Sequence, residues 1–397
     1  MAYIRLNTPD FRRAISALFL GALVTFAVLY SVQPLLPVLA GHFRVSPAEA
    51  SLSLSFSTLF MGLAMVVAAP LSLRWGPKRI MTLSMASAAV LALASAVTPT
   101  FWALLVIRSL MGVALAGLPA VAMGYVSEEI EPQALGQAMG MYVSGTTIGG
   151  MGGRILVGML TDLWGWRGAL GMIGGLSILL TVWFFRNLPR TRRFQRDPDA
   201  FHHLWPAVRE NFRDPGLILL YALPFLLMGS FVTVYNYITF LLTAPPYRLS
   251  QTVVGWVFVV YLFGTVSSAW LGRMADHRGR PRMLFLAIAL MLAGLLTTLV
   301  VWLPGRIAGL ALMTFGFFGA HSVASGWVGR RAATSAAQAS SLYLFFYYAG
   351  SSIFGAVGGI FWSAWRWPGV IGLVSVLVLL ALIAAAILSR LKPRTAS

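Results

Sequence analysis

Apolar residues run through this chain in long unbroken blocks, not in the narrow stripes of a soluble helix. Twelve blocks approach the roughly 20 residues that cross a bilayer: 14–37, 49–71, 80–97, 101–125, 136–160 and 168–187, then 216–243, 251–272, 283–303, 306–329, 336–362 and 368–389. Helix is the form open to such blocks, because an unpaired backbone amide in hydrocarbon is very costly. One longer break, 188–215, is polar and basic, with Arg190, Arg192, Arg193, Arg196, Arg209 and Arg213. The pattern predicts an all-α membrane protein of twelve transmembrane helices in two bundles. An N-terminal six-helix bundle occupies 1–187, a cytoplasmic basic linker 188–215 and a C-terminal six-helix bundle 216–397.

The two bundles read as copies at an offset near 202 residues. Gln137-Ala138, Tyr142, Gly149, Gly158, Trp164, Trp166 and Gly168 match Gln338-Ala339, Tyr343, Gly350, Gly359, Trp365, Trp367 and Gly369. Trp75-Gly76 with Lys78-Arg79 matches Arg278-Gly279 with Pro281-Arg282. Matched glycines and tryptophans at a fixed offset point to a duplicated unit. Two pseudo-symmetric halves are the layout in which bundles rock about a site near the bilayer midplane.

Composition agrees: 58% of residues are hydrophobic and only 10% charged, against about 25% charged in soluble domains. The net charge of +18 does not read as a nucleic-acid surface, because the basic residues sit between apolar runs. With both termini placed inside, the inner segments hold 22 of the 29 Lys and Arg residues. The outer loops hold five: Arg44, Arg167, Arg248, Arg306 and Arg366. That bias predicts cytoplasmic termini in a cytoplasmic (inner) membrane. Cysteine is absent, so no disulfide framework or thiolate metal site is expected. Asp10, Arg12 and Arg13 lead into an apolar run too long for a signal peptide.

The loop after the eighth span, Gly272 to Arg282, reads G-R-M-A-D-H-R-G-R-P-R. It resembles the loop signature of the major facilitator superfamily. The first-half copy, Ala69 to Arg79, departs from that signature, with Leu73 in place of the aspartate and Pro77 in place of an arginine. The resemblance implies a gating role for Gly272, Asp276, Gly279 and Arg280, and for Gly76 and Arg79. In the fourth span, Arg108 to Gly112 resembles the R-x-x-x-G motif of drug–proton antiporters. In the fifth, Gly145, Gly149, Gly150, Gly152 and Gly153 resemble the antiporter glycine motif, one residue short and with Gly150 where proline is usual. Tyr30 to Pro37 and Gly319 to Trp327 are similar to bacterial inner-membrane exporters of the YnfM type. The resemblance covers essentially the whole chain. It implies secondary transport, with proton-coupled efflux of a drug-like or metabolite substrate and a monomeric protein as the expectation.

All eleven acidic residues, Asp10, Glu49, Glu128, Glu129, Glu131, Asp162, Asp197, Asp199, Glu210, Asp214 and Asp276, fall in loops or at span ends. That counts against a dedicated cation exporter, which needs a buried carboxylate as counter-charge. The spans hold Arg108, Arg154 and His321 instead. The two arginines are expected about 9 Å from the outer surface, on helical rise. Each either attracts an anionic or polar substrate group or caps carbonyls and braces helices. His321, whose unperturbed pKa of about 6.5 lies near neutral pH, is either a proton-coupling site or a neutral hydrogen-bonding residue. Tyr30 and Gln33 in the first span, Tyr235, Asn236 and Tyr237 in the seventh, and Tyr343, Tyr347 and Tyr348 in the eleventh are candidates for a binding cavity or, for several tyrosines, interfacial anchors. Glu128 and Glu129 end the fourth span, and Arg330 and Arg331 end the tenth at offset 202. They read as an inner gate, with Glu131 beside them, or as solvated charges paired locally.

No phosphate-binding loop, metal-ligand cluster or nucleophile–base pair is present in the sequence, so neither cofactor nor enzymatic activity is expected. The expected partners are a small-molecule substrate, protons and the lipid bilayer. The rival reading is uptake or facilitated diffusion of a small polar or anionic metabolite. A non-transporting receptor and an intramembrane enzyme are the other classes weighed.

Overall fold

The structure, a computed structural model, describes residues 3–194, 196–197, 204–332 and 336–391. Asp199 and the parts of the 188–215 linker at 195 and 198–203 lie outside these residues, as does the end of the C-terminal bundle from 392. The helices are α1 (Pro9–Tyr30), α2 (Leu36–Phe43), α3 (Pro47–Trp75), α4 (Pro77–Ala96), α5 (Phe101–Leu115), α6 (Gly117–Glu129) and α7 (Leu135–Asn187). They continue as α8 (Leu204–Asn211), α9 (Pro215–Thr243), α10 (Gln251–Val257), α11 (Tyr261–Arg278), α12 (Arg280–Thr297), α13 (Leu303–Ala332) and α14 (Ala336–Arg390). Among the described residues no strand forms; Ile4 and Ile130 make an isolated parallel bridge.

The starts follow from local chemistry. Thr8 caps α1 by accepting from the Phe11 amide at 3.2 Å, and Pro9 follows it. Asp214 caps α9 by accepting from the Gly216 amide at 2.8 Å, ahead of Pro215. Such caps satisfy amides that a helix leaves without partners. Gly76 and Gly279, repeat-related, have φ of 92° and 88°. In that left-handed region a side chain is strained, so glycine turns the chain from α3 into α4 and from α11 into α12.

Among the described residues, ten helical segments are long and apolar enough to cross a membrane, and two of them run 56 and 53 residues. A straight helix of that length would reach about 80 Å, far beyond a ~30 Å hydrocarbon core. Each is broken instead, α7 at Gly165 and α14 at Trp365 and Arg366. Two limbs from each give the twelve spans expected. Three other spans are each made of two helices: α1 with α2, α5 with α6, and α10 with α11 through a 3-10 turn at Phe258–Val260.

The chain forms two compact units. One comprises Met1–Val38, Phe56–His203 and Ser250–Trp256; the other comprises Leu39–Ser55, Leu204–Leu249 and Val257–Ser397. In the first unit, α1 lies against the first limb of α7. Gly149 is seated on the backbone of Leu23, and Gly153 on Ala27. In the second unit, α9 lies against the first limb of α14. Gly350 is seated on the backbone of Phe225, at the repeat-related position, while Gly229 makes room for the Phe354 ring. Between lipid-embedded helices the hydrophobic effect gives little drive, so close backbone approach through small residues holds them together.

Filling these seats has a predictable cost. Gly149→Val and Gly350→Val are each expected to lose about 1–3 kcal/mol through overpacking, read as a lower unfolding temperature in detergent. Gly152→Ala meets no atom within 4 Å and is expected to leave that temperature unchanged.

Candidate functional site

In the first unit the candidate residues gather where α1 breaks. Pro34 has no amide hydrogen to donate to the Tyr30 carbonyl, and the chain passes through turns from Ser31 to Leu35 before α2. The Gln33 amide donates to Tyr30 at 3.0 Å, three residues back instead of four, which frees the Leu29 carbonyl from its helical partner. Arg108 supplies the donor. Its guanidinium reaches the Leu29 carbonyl at 2.6 Å and the Val28 carbonyl at 3.3 Å. Its own carbonyl accepts from Ser57 Oγ at 2.9 Å. A cation on the last carbonyls of a helix also opposes the negative end of its dipole.

Arg154 lies on the same break. Its Nε donates to Gln33 Oε1 at 2.7 Å, its Nη1 donates to the Gly150 carbonyl, and its guanidinium sits 4.0 Å above the Tyr30 ring. Both arginines are almost fully buried. Arg154 stands 11 residues before the kink at Gly165, about 16 Å along the axis.

In the second unit, His321 Nδ1 and Tyr343 Oη are 2.9 Å apart, and Tyr343 Oη is 3.4 Å from the His321 carbonyl. The imidazole lies in an aromatic wall, 5.1 Å from the Tyr347 ring and 6.1 Å from Phe317, nearly parallel to the latter. Phe317 stacks on Phe231 at 4.1 Å, and Phe231 lies 4.8 Å from Tyr235. Tyr235 Oη meets Thr314 Oγ1 at 2.6 Å. Tyr237 is turned elsewhere and donates to the Gly355 carbonyl at 2.8 Å. Asn236 is fully buried close to Gly355, and Tyr348 packs edge-on to Tyr347 at 5.2 Å.

Apart from Glu128, the candidate gate charges have partners within their own unit. Asp276 accepts from Arg280 at 3.0 Å and from Arg330 at 2.9 Å. Arg331 binds both Asp214 oxygens, at 2.8 and 2.9 Å, and Gly216 leaves room for its guanidinium. Glu129 accepts from the amides of Arg192 and Arg193, each at 2.9 Å, while Glu128 is exposed. Glu131 accepts from the Leu6 amide. Arg79 lies 6.0 Å over the Trp75 ring, and Gly272 packs beside Ser322.

A profile of the Major Facilitator Superfamily matches residues 18–249. The MFS-type transporter YybF of Bacillus subtilis (strain 168) is 48% identical over 98% of this chain and 96% of that protein. The inner membrane transport protein YnfM of Escherichia coli (strain K12) is 43% identical over 98% and 93%. This chain belongs to the major facilitator superfamily. The activity of that family is membrane transport, not catalysis, so this facilitator is a multi-pass membrane transporter of a small molecule. Over a shorter stretch it resembles the MFS antiporter QDR3 of Candida albicans (strain SC5314 / ATCC MYA-2876), 28% identical over 44% of this chain and 26% of that one. Its fold matches a bacterial homolog of the human lysosomal transporter Spinster, with TM-score 0.76, 16% identity and 96% of each chain covered. A mutant form of the nucleoside transporter NupG matches with TM-score 0.76 and 14% identity, over 94% of this chain and 99% of that one.

Sequence reasoning missed several residues that the structure places beside the candidates. Phe231, Phe317 and Thr314 join His321 to Tyr235. Phe317 precedes His321 by one helical turn, which was the available signal. Asp214 was legible as a helix start, being followed by proline, but its pairing with Arg331 was not. Removing the Arg108 guanidinium should expose its capping function. Arg108→Gln is expected to cost about 1–3 kcal/mol, since the buried Leu29 carbonyl loses its donor while the Val28 carbonyl keeps Ser31 Oγ at 2.8 Å. Arg108→Lys should recover part of that in thermal unfolding, whatever either variant does to transport.

Proposed function

We propose that this transporter is a proton-coupled exporter, moving a drug-like or metabolite substrate out across the bacterial cytoplasmic membrane by alternating access of its six-helix halves, with both termini in the cytoplasm. The observation that carries the reading is the His321–Tyr343 pair inside an aromatic wall. A neutral imidazole can accept from the tyrosine hydroxyl at Nδ1. A protonated one can donate to the same hydroxyl, which then turns to the His321 carbonyl. The pair therefore holds a proton or releases it without losing its hydrogen bond. Efflux is supported by the glycine motif of the fifth span, Gly145 to Gly153, and by the likeness to a relative named as an antiporter. Inner-membrane residence is supported by the likeness to YnfM, and inward termini by the basic bias of the loops.

Arg154, with Gln33 and Tyr30, is the proposed recognition point for a polar or anionic group on the first unit; on the second unit, Tyr235, Asn236 and Tyr347 are proposed separately as substrate contacts. The gate charges are proposed to exchange partners between states. Glu129 leaves the Arg192–Arg193 amides, and Arg330 and Arg331 leave Asp276 and Asp214, when the inner side closes. The two buried guanidiniums also favour a second reading, uptake of a small anionic metabolite.

Proteoliposomes loaded with a pH dye test these readings against a panel of anionic, neutral and cationic compounds. Compound-triggered proton movement is expected in wild type and lost in His321→Gln. Arg154→Gln should reduce flux of anionic compounds by tenfold or more, on the scale of a lost charge-assisted contact. Compound flux without proton movement would instead identify facilitated diffusion, and an Arg154→Gln protein with full anionic flux would remove that residue from recognition.

A further inference from the structure

We propose that the first unit carries a specific site for one anionic phospholipid, with its phosphate held at the α3–α4 turn and an acyl chain laid in an adjoining groove. Two cavities on this unit share residues. The first, of about 880 Å³, is lined by five cations, Arg13, Lys78, Arg79, Arg186 and Arg190. Asp10 is the one carboxylate among its described lining residues, and it is already paired with Arg192. The second, of about 510 Å³, is lined by Phe60, Leu63, Val67, Ala64, Val113 and other small or apolar side chains. Trp75 and Leu83 line both cavities, so the basic one and the apolar one adjoin at these two side chains.

The polar end is organised. Lys78 Nζ donates to the Leu188 carbonyl and lies 5.2 Å from the Phe185 ring centre. The Arg79 guanidinium rests over Trp75. Tryptophan at such a depth belongs at the level of lipid headgroups, and clustered cations beside a span attract anionic lipid. The apolar end suits a chain and not a water-soluble ligand. Leu63 and Val67 are 47% and 49% exposed in a span that faces hydrocarbon. The hydroxyl of Ser84 is spent on the Ala114 carbonyl at 2.6 Å, and that of Ser87 on the Leu83 carbonyl at 2.5 Å, so neither hydroxyl in the wall is a free donor. Phe60 and Leu63 lie 15 and 12 residues before Trp75, about 18–22 Å along the axis. One leaflet of a ~30 Å core plus its interface has that depth. Charge at one end and a leaflet-long groove at the other together select a phosphate-bearing, negatively charged lipid.

The experiment uses the full chain purified in detergent, read by native mass spectrometry with dioleoyl phosphatidylglycerol or dioleoyl phosphatidylcholine added. Retention of one phosphatidylglycerol in preference to phosphatidylcholine is expected. Arg186→Gln with Arg190→Gln should weaken retention roughly thirtyfold, at about fivefold per cation removed. Ser87→Trp, an exposed position in the groove, should abolish the preference while leaving every cation in place. sn-Glycerol 3-phosphate should fail to displace the lipid at equal concentration. Equal retention of the two lipids by wild type would overturn the proposal, even if a variant failed to fold. So would displacement by glycerol phosphate, which would make this a site for a soluble phosphate.

Discussion

The constraint on which the rest depends is that a backbone carbonyl or amide cannot be left unpaired in hydrocarbon. A continuous helix meets that demand alone; a broken one does not. This chain breaks its first span between Tyr30 and Leu36, and the break frees carbonyls deep in the bundle. Arg108 meets the Leu29 and Val28 carbonyls, and Arg154 fixes the Gln33 side chain that follows. Burying two guanidiniums is expensive in isolation, and it becomes tolerable here because backbone oxygens, an amide oxygen and the Tyr30 face receive them. The polar centre of the first unit is thus a consequence of the helix break.

The second unit carries a different polar centre. His321 and Tyr343 share a hydrogen bond within a chain of stacked rings that runs through Phe317 and Phe231 to Tyr235. The repeat therefore keeps the scaffold and diversifies the chemistry. Gly149 on Leu23 and Gly350 on Phe225 are the same contact made twice. The polar groups presented on those scaffolds are cationic in one unit and aromatic with a histidine in the other. Under the proposed mechanism, that asymmetry divides recognition of a polar group from handling of a proton.

Much of the fold was legible. Block length fixed the number and type of elements, because hydrocarbon leaves so few alternatives, and the fixed offset of glycines and tryptophans revealed the duplication. The loops holding Gly76 and Gly279 were readable as gaps between apolar blocks; that each glycine turns the chain at a φ near +90° was not. Legibility fell where a contact depends on side-chain reach. Arg108 and Arg154 stood out as charges within apolar blocks, yet nothing in the spacing said that one caps α1 and the other holds Gln33. Glu129 and Arg331 were visible as charged span ends, but their partners, the Arg192–Arg193 amides and Asp214, lie at 63 to 117 residues' separation. Phe231 was hidden among other apolar residues, since stacking leaves no periodic trace.

The central claim is that His321 carries the proton while the rest of the site carries the substrate, and solute counterflow separates the two. In proteoliposomes without a proton gradient, His321→Gln is expected to exchange labelled compound across the membrane at close to the wild-type rate, yet no longer to accumulate it when a gradient is imposed. Accumulation driven by the gradient in His321→Gln would contradict the assignment directly. Loss of exchange in a protein that remains folded would contradict it equally, by making His321 part of the path for the compound itself.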